Sequence, residues 1–158
     1  MALSRESIRS DYPLPVYNYR VEIGDTTIAC SSISGLNIGY NVTTFKQSRT
    51  ETNMPGPKFM YMPAQIEEVT ITISKGVVRK DSIPTLYGWL STKRANVIEK
   101  RDIKVHLLDE TGVAVVTWTV LNAFPTHLDA PSFDANSNDA AIETLRLRAD
   151  QVMIAENG

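Results

Sequence analysis

The sequence is poor in the side chains from which most catalytic, metal-binding or cross-linked sites are made. Among 158 residues one is cysteine, Cys30, and two are histidine, His106 and His127. A lone thiol cannot close an internal disulfide, which excludes the small secreted scaffolds held together by cross-links. Three such side chains also leave little for a zinc centre. Neither sign of charge is in excess: sixteen Lys and Arg face eighteen Asp and Glu, a formal net charge of −2. A chain built to grip nucleic acid carries a basic surplus instead. Apolar runs such as Gly112 to Val116 are short, far below the roughly 20 residues that cross a bilayer. The first fifteen residues carry Arg5, Glu6 and Arg9 where a secretory leader would be apolar. Cytoplasmic synthesis without a signal peptide or membrane anchor is therefore expected.

Chemical motifs are equally scarce. No HExxH, GxSxG, GxGxxG or P-loop pattern occurs. Gly56-Pro57-Lys58 is like a phosphate loop only superficially, because Pro57 has no N–H to offer an anion. Cys30 could pair with His106 or His127 as nucleophile and base, yet it lies in an alternating stretch where a buried, inert thiol is expected. Asp134 to Asp139 begins like a calcium loop, but Asp139 stands at the glycine position and Leu145 at that of the bidentate glutamate. A polar turn explains the same residues. Lys93-Arg94 and Lys100-Arg101 form a modest basic cluster, read as a solvated face or as a charged contact to a partner. No catalytic, cofactor or metal site is expected, and the chain is not read as an enzyme.

What is present is a β pattern in one domain spanning 1–158. With 42% hydrophobic and 22% charged residues, the chain can bury enough apolar surface to offset the entropy of ordering it. Tyr17, Tyr19, Val21 and Ile23 alternate with polar neighbours up to Gly24, as do Val69, Ile71 and Ile73, and again Ile103, Val105 and Leu107. This period of two marks strands with one buried face. A further extended stretch runs from Thr27 to about Phe45, with bends expected at Gly35 and Gly39. Asp109 to Gly112 predicts a hairpin turn. The strand after it, Val113 to about His127, has Val113 and Val115 on one phase and Val116, Trp118, Val120 and Phe124 on the other. Both its faces must be covered, by this subunit or by another. Leu145 and Leu147 alternate with Arg146 and Arg148, and Val152 and Ile154 then switch phase, predicting a bulge near Ala149-Asp150.

One stretch, 82–92, has the helical period. Ile83, Leu86, Tyr87 and Leu90 form one stripe, with Asp81 or Ser82 as N-cap and Trp89 off the stripe. Between Lys46 and Pro63 the chain combines three prolines and a glycine with Met54, Phe59, Met60, Tyr61 and Met62. Turn-formers mixed with large apolar groups suit a loop folded back on its own core or an arm reaching into a neighbouring subunit.

In this order the segments resemble the inner-tube proteins of contractile phage tails and related contractile injection systems. The carriers are Tyr12-Pro13-Leu14-Pro15 with Tyr17 to Ile23, Ser31 to Leu36, Met54-Pro55-Gly56 and Val69 to Gly76. Leu86 to Leu90, Lys100 to Ile103, Trp118 to Pro125 and Ala140 to Leu145 continue the likeness, which spans about Tyr12 to Ala155. It is greatest to the tube subunits of extracellular, phage-tail-like injection particles of bacteria. The resemblance implies a mainly β, antiparallel sandwich or barrel with one short α-helix, assembling as hexameric rings stacked into a hollow tube.

It also implies partners: further copies of the chain, a sheath protein, baseplate, spike and tube-terminator proteins, and a lumenal cargo, protein effector rather than nucleic acid. Residues 46–63 would be the intersubunit arm and 1–15 an N-terminal extension. Met54, Pro55, Gly56, Lys58, Phe59 and Tyr61, with Tyr12 and Pro13, are the expected contacts between subunits. A tube-initiating or tube-terminating ring is the alternative within the same particle, and a soluble β-sandwich binding module lies outside it.

Overall fold

The computed structural model describes residues 2–78, 86–91 and 98–157. Its strands, all paired antiparallel, are β1 (Tyr19–Ile23), β2 (Thr26–Ile28), β3 (Ser32–Ser34), β4 (Tyr40–Gln47), β5 (Lys58–Ile66), β6 (Val69–Gly76), β7 (Arg101–Leu108), β8 (Ala114–Asp129), β9 (Ile142–Ala149) and β10 (Gln151–Glu156). The main sheet runs β2-β1-β7-β8-β9-β6-β3, with β10 also on β8. The first half of β8 pairs with β7 and β10, the second half with β9. One strand thus serves two half-sheets, and these fold face to face into a sandwich.

The alternation read from the sequence decides which side faces in. Val21, Ile23, Ile103, Val105 and Val120 from one half meet Ile71, Ile73, Leu145 and Leu147 from the other in a single buried cluster. Full burial of each such aliphatic side chain contributes about 1.5–3 kcal/mol. Gly35 makes the close approach possible: it has φ +91°, and a Cβ there would meet the Thr70 carbonyl oxygen at 2.0 Å.

The long strand corrects its expected phase. Asn122 takes φ 54°, and the register against β7 jumps between Arg101–Ala123 and Ile103–Val120. Beyond that bulge Ala123 and Pro125 face the core, while Phe124 lies outside under the Lys100 ammonium, 5.5 Å from its ring centre. A sequence phase cannot be carried across an inserted residue. The phase switch expected near Ala149-Asp150 falls at the break between β9 and β10. It is no bulge there, since the register against β8 is the same on both sides, Phe124–Arg148 and Leu121–Gln151.

Among the described residues two helices are found where one is expected. α1 (Arg5–Asp11) is capped by Ser4, whose hydroxyl accepts from the Ser7 N–H at 3.0 Å. It buries none of its residues, so it has no apolar stripe to betray it. α2 (Gly88–Ser91) is the described part of the expected 82–92 helix; residues 82–85 and 92, with Ile83 of the stripe, lie outside the described residues. Leu86 is buried, but Tyr87 is exposed and Trp89 is 1% exposed, reversing the expectation for these two. The Trp89 indole N–H donates to the Glu99 carbonyl at 2.8 Å, and Arg101 covers its ring at 5.1 Å.

Candidate functional site

The Met- and Pro-rich segment, read as irregular, is mostly strand. β4 and β5 make a two-stranded sheet of their own and pair only with each other among the described residues. The hairpin therefore begins earlier than Lys46 and ends later than Pro63. At about 3.3 Å per residue its strands reach roughly 25–30 Å. The tip from Ser48 to Pro57 turns at Asn53 (φ 71°) and Gly56 (φ 83°), and Arg49 reaches the Met54 sulfur across it at 3.6 Å.

Register sorts the arm's side chains into two faces. Thr43–Met62 and Phe45–Met60 lie opposite one another on one face, Thr44–Tyr61 and Lys46–Phe59 on the other. The Lys46 ammonium sits 5.2 Å from the Phe59 ring centre. Both faces are open: Val42, Phe45, Met54, Phe59, Tyr61 and Met62 are all exposed, Tyr61 at 71%. Apolar groups exposed on both faces of a two-stranded hairpin form a surface that a neighbour can cover.

Of the expected contact residues, Phe59 and Tyr61 share one face, Lys58 begins β5 on the other, and Met54, Pro55 and Gly56 form the tip. Tyr12 and Pro13 lie apart from them, exposed just after α1, where the Tyr12 N–H donates to the Ile8 carbonyl at 3.2 Å. Val42 and Phe45 belong to the same surface but were hidden in a Ser/Thr-rich stretch that reads as ordinary strand. Their isolation from the main sheet leaves no mark in local sequence.

A second feature is concave. The open end of the sandwich holds a groove of about 850 Å³. Its walls include Val16, Tyr17, Leu36, Val105, Leu107 and Trp118, and no charged residue lines it.

The other candidates resolve into structural roles. The Tyr19 hydroxyl donates to the Cys30 carbonyl at 2.8 Å, and burial pushes the Cys30 thiol pKa up. An activated thiol has the opposite shift. His106 Nδ1 lies 2.8 Å from the Thr117 hydroxyl, and its Nε2 lies 3.4 Å from Glu22, stitching β1, β7 and β8 together. Asp134 accepts from the Asn136 N–H at 3.0 Å as a self-contained polar turn. Lys100 and Arg101 stack on Phe124 and Trp89, and Lys93 and Arg94 lie outside the described residues. Among the described residues no cluster of three or more His, Cys, Asp or Glu converges as a metal site would. No helix among them is long and apolar enough to cross a membrane.

A sandwich sharing one long strand, with a projecting apolar hairpin, is the fold of a tail-tube subunit. The chain belongs to the family described as T4-like virus tail tube protein gp19, whose profile matches residues 15–153. Among solved structures it is similar to a chain of an extracellular contractile injection system, the PVC sheath-tube complex in the extended state. Identity there is 36% with a TM-score of 0.88, covering 99% of this chain and 100% of the other. A chain of the anti-feeding prophage cap, described as the AFP tube terminating cap, is 35% identical with a TM-score of 0.85, over 99% and 100% of the two chains. A chain of the PVC sheath/tube terminator in the extended state is 37% identical with a TM-score of 0.83, over 92% and 99%. Among curated proteins, none matches the chain.

Proposed function

We propose that this chain is the inner-tube subunit of a contractile, phage-tail-like injection particle of bacteria. Six copies form a ring, and rings stack into a hollow tube that sheath contraction drives through a target envelope. The subunit does no covalent chemistry; it works as a rigid wall around a passing cargo, a protein effector. It is made in the cytoplasm and becomes extracellular as part of the released particle.

The observation that carries this reading is the β4–β5 arm, open and apolar on both faces, whose strands pair only with each other among the described residues. A contact that joins an arm on one side to a different surface on the next copy is head-to-tail, and such contacts propagate rather than close in pairs. Each copy then has several neighbours, which makes the assembly tighter than any single pair. Family membership and the similarity to a sheath-tube complex support the same reading.

A second role within the particle, the tube-terminating ring, is favoured by the similarity to the two terminator and cap chains. Negative-stain microscopy of the concentrated pure protein tests the main reading. Long tubes of uniform width are expected. Single rings that never stack would favour the terminating role, and a chain that stays monomeric with its particle's other components would end both.

A further inference from the structure

We infer that the groove at the open end of the sandwich is the receptor for the β4–β5 arm of a second copy, with the β5 stem from Phe59 to Met62 laid against Tyr17, Leu36 and Trp118. This rests on the tube reading and adds the surface that receives the arm.

The groove is an unclosed part of the core. Tyr19, Leu36 and Trp118 pack against the buried cluster from one side and line the groove on the other. At its mouth Val16 is 87% exposed and Tyr17 is 76% exposed. Water in such a cleft meets mostly apolar walls, with Ser31, Ser32, Ser34 and Asn37 along one side, and an apolar occupant would release it.

The arm is a matching occupant in charge and shape. Its charged side chains, Lys46, Arg49, Glu51 and Lys58, gather toward the tip, whereas Phe59 to Ile66 and Tyr40 to Phe45 contain none. The Tyr61 end of the stem enters an uncharged groove without stranding an ion. Lys46, over the Phe59 ring, stays at the mouth with the charged tip, which the groove rejects because its cations would be buried unpaired. Phe59 and Tyr61, which share one face of the hairpin, offer their rings to Tyr17 and Trp118. β3 is the terminal strand of its half-sheet and contributes Ser32, Ile33 and Ser34 to the groove. Its outer backbone edge can therefore hydrogen-bond an extended visitor.

The occupant must come from another molecule. β4 starts at Tyr40, three residues after Asn37 of the groove lining, and its root is tied by the Glu67 N–H donating to the Gly39 carbonyl at 3.0 Å. In its own subunit the arm leaves Phe59, Tyr61 and Met62 exposed and outside the groove.

The test places a photoreactive benzophenone amino acid at Tyr61 in the full chain and assembles it with an equal amount of isotope-labelled native chain. After irradiation, cross-linked peptides are identified by mass spectrometry. Links joining labelled and unlabelled copies are expected between position 61 and peptides containing Val16–Tyr19, Leu36 or Trp118. Tubes whose links fall only elsewhere would overturn the docking and leave the tube reading intact; native chain that forms no assembly would overturn both. As a second variant, Leu36→Asp should lower the polymerised fraction about tenfold or more, by placing an unpaired charge against the arm, with a cooperative melt retained. Normal tubes from a well-folded Leu36→Asp chain would also overturn the docking, whereas native-like tubes from the exposed-surface control Asp25→Asn are expected.

Discussion

The Asn122 side-chain amide donates to the Asp150 carboxylate at 2.8 Å, joining two of the places where the regular sheet is interrupted. Asn122 is the left-handed residue at the bulge of β8, and Asp150 is the break between β9 and β10. The Asn122 N–H donates to Asp102 at 3.0 Å, and the Asp150 N–H donates to the Leu121 carbonyl at 3.0 Å. The seam between the half-sheets is therefore satisfied by side chains where the ladder cannot be continuous.

Asn122→Ala removes the amide bond and puts an ordinary side chain in a left-handed conformation. A loss of about 1–3 kcal/mol is expected from urea unfolding. Asn122→Gly, which relieves the conformation but not the lost hydrogen bond, should cost less. Equal losses would mean that backbone strain plays no part.

Gly35→Ala should be among the most damaging small substitutions in the chain. The new Cβ would overlap the Thr70 carbonyl oxygen at 2.0 Å, at a residue held at φ +91°. A loss above about 2 kcal/mol is expected, whereas Gly56→Ala, with nothing near its Cβ, should cost less. Chemical denaturation of the two variants side by side decides this.

Trp89→Ala should destabilise by about 3–5 kcal/mol, since it empties a fully buried ring and leaves the Glu99 carbonyl without its donor. Trp89→Phe keeps most of the volume and should recover part of that loss. A melting shift near zero for Trp89→Ala would contradict the observed burial.

Acid should weaken the β7–β8 turn. Hydrogen bonds from the Thr111 side chain and the Val113 and Thr111 N–H groups hold the Asp109 carboxyl below its usual pKa, with a smaller contribution from Arg9. Because the folded-state pKa is depressed, the stabilisation is present above the ordinary value near ~3.9 and is lost as pH falls through the folded one. Asp109→Asn should flatten the fall of melting temperature between about pH 5 and pH 2. Some slope should persist, because the hydrogen bond and charge of Arg101 likewise lower the Glu99 pKa.

Deleting Thr52 to Lys58 should leave a folded subunit, because the arm contributes nothing to the buried core, yet it should abolish stacking. Negative-stain images showing rings or monomers in place of tubes are expected. Long tubes from the deletion variant would remove the tip, but not the β5 stem, from the assembly mechanism.

The strands that bury one face were legible: Val69 to Gly76, Arg101 to Leu108 and Ile142 to Ala149 alternate in sequence because alternate positions face the same core. Three features were not, each for a physical reason. The arm buries neither face, so its apolar residues follow no period. Phe124 was assigned to the wrong side because a single left-handed asparagine resets the phase. α1 packs on nothing and is held by its Ser4 cap and the Arg9–Glu110 ion pair at 3.0 Å, neither of which leaves a hydrophobic stripe. The groove was invisible for a related cause: Tyr17, Leu36 and Trp118 are distant in sequence, and only the folding of one half-sheet over the other brings them to one mouth.

The continuity of β8 has a mechanical consequence. Because the same backbone is hydrogen-bonded into both halves of the sandwich, neither half can slide over the other without breaking its ladder. A push applied to one end is shared across the block as shear on many short bonds rather than as peeling at an edge. A part that must transmit thrust without bending is well served by such a spar.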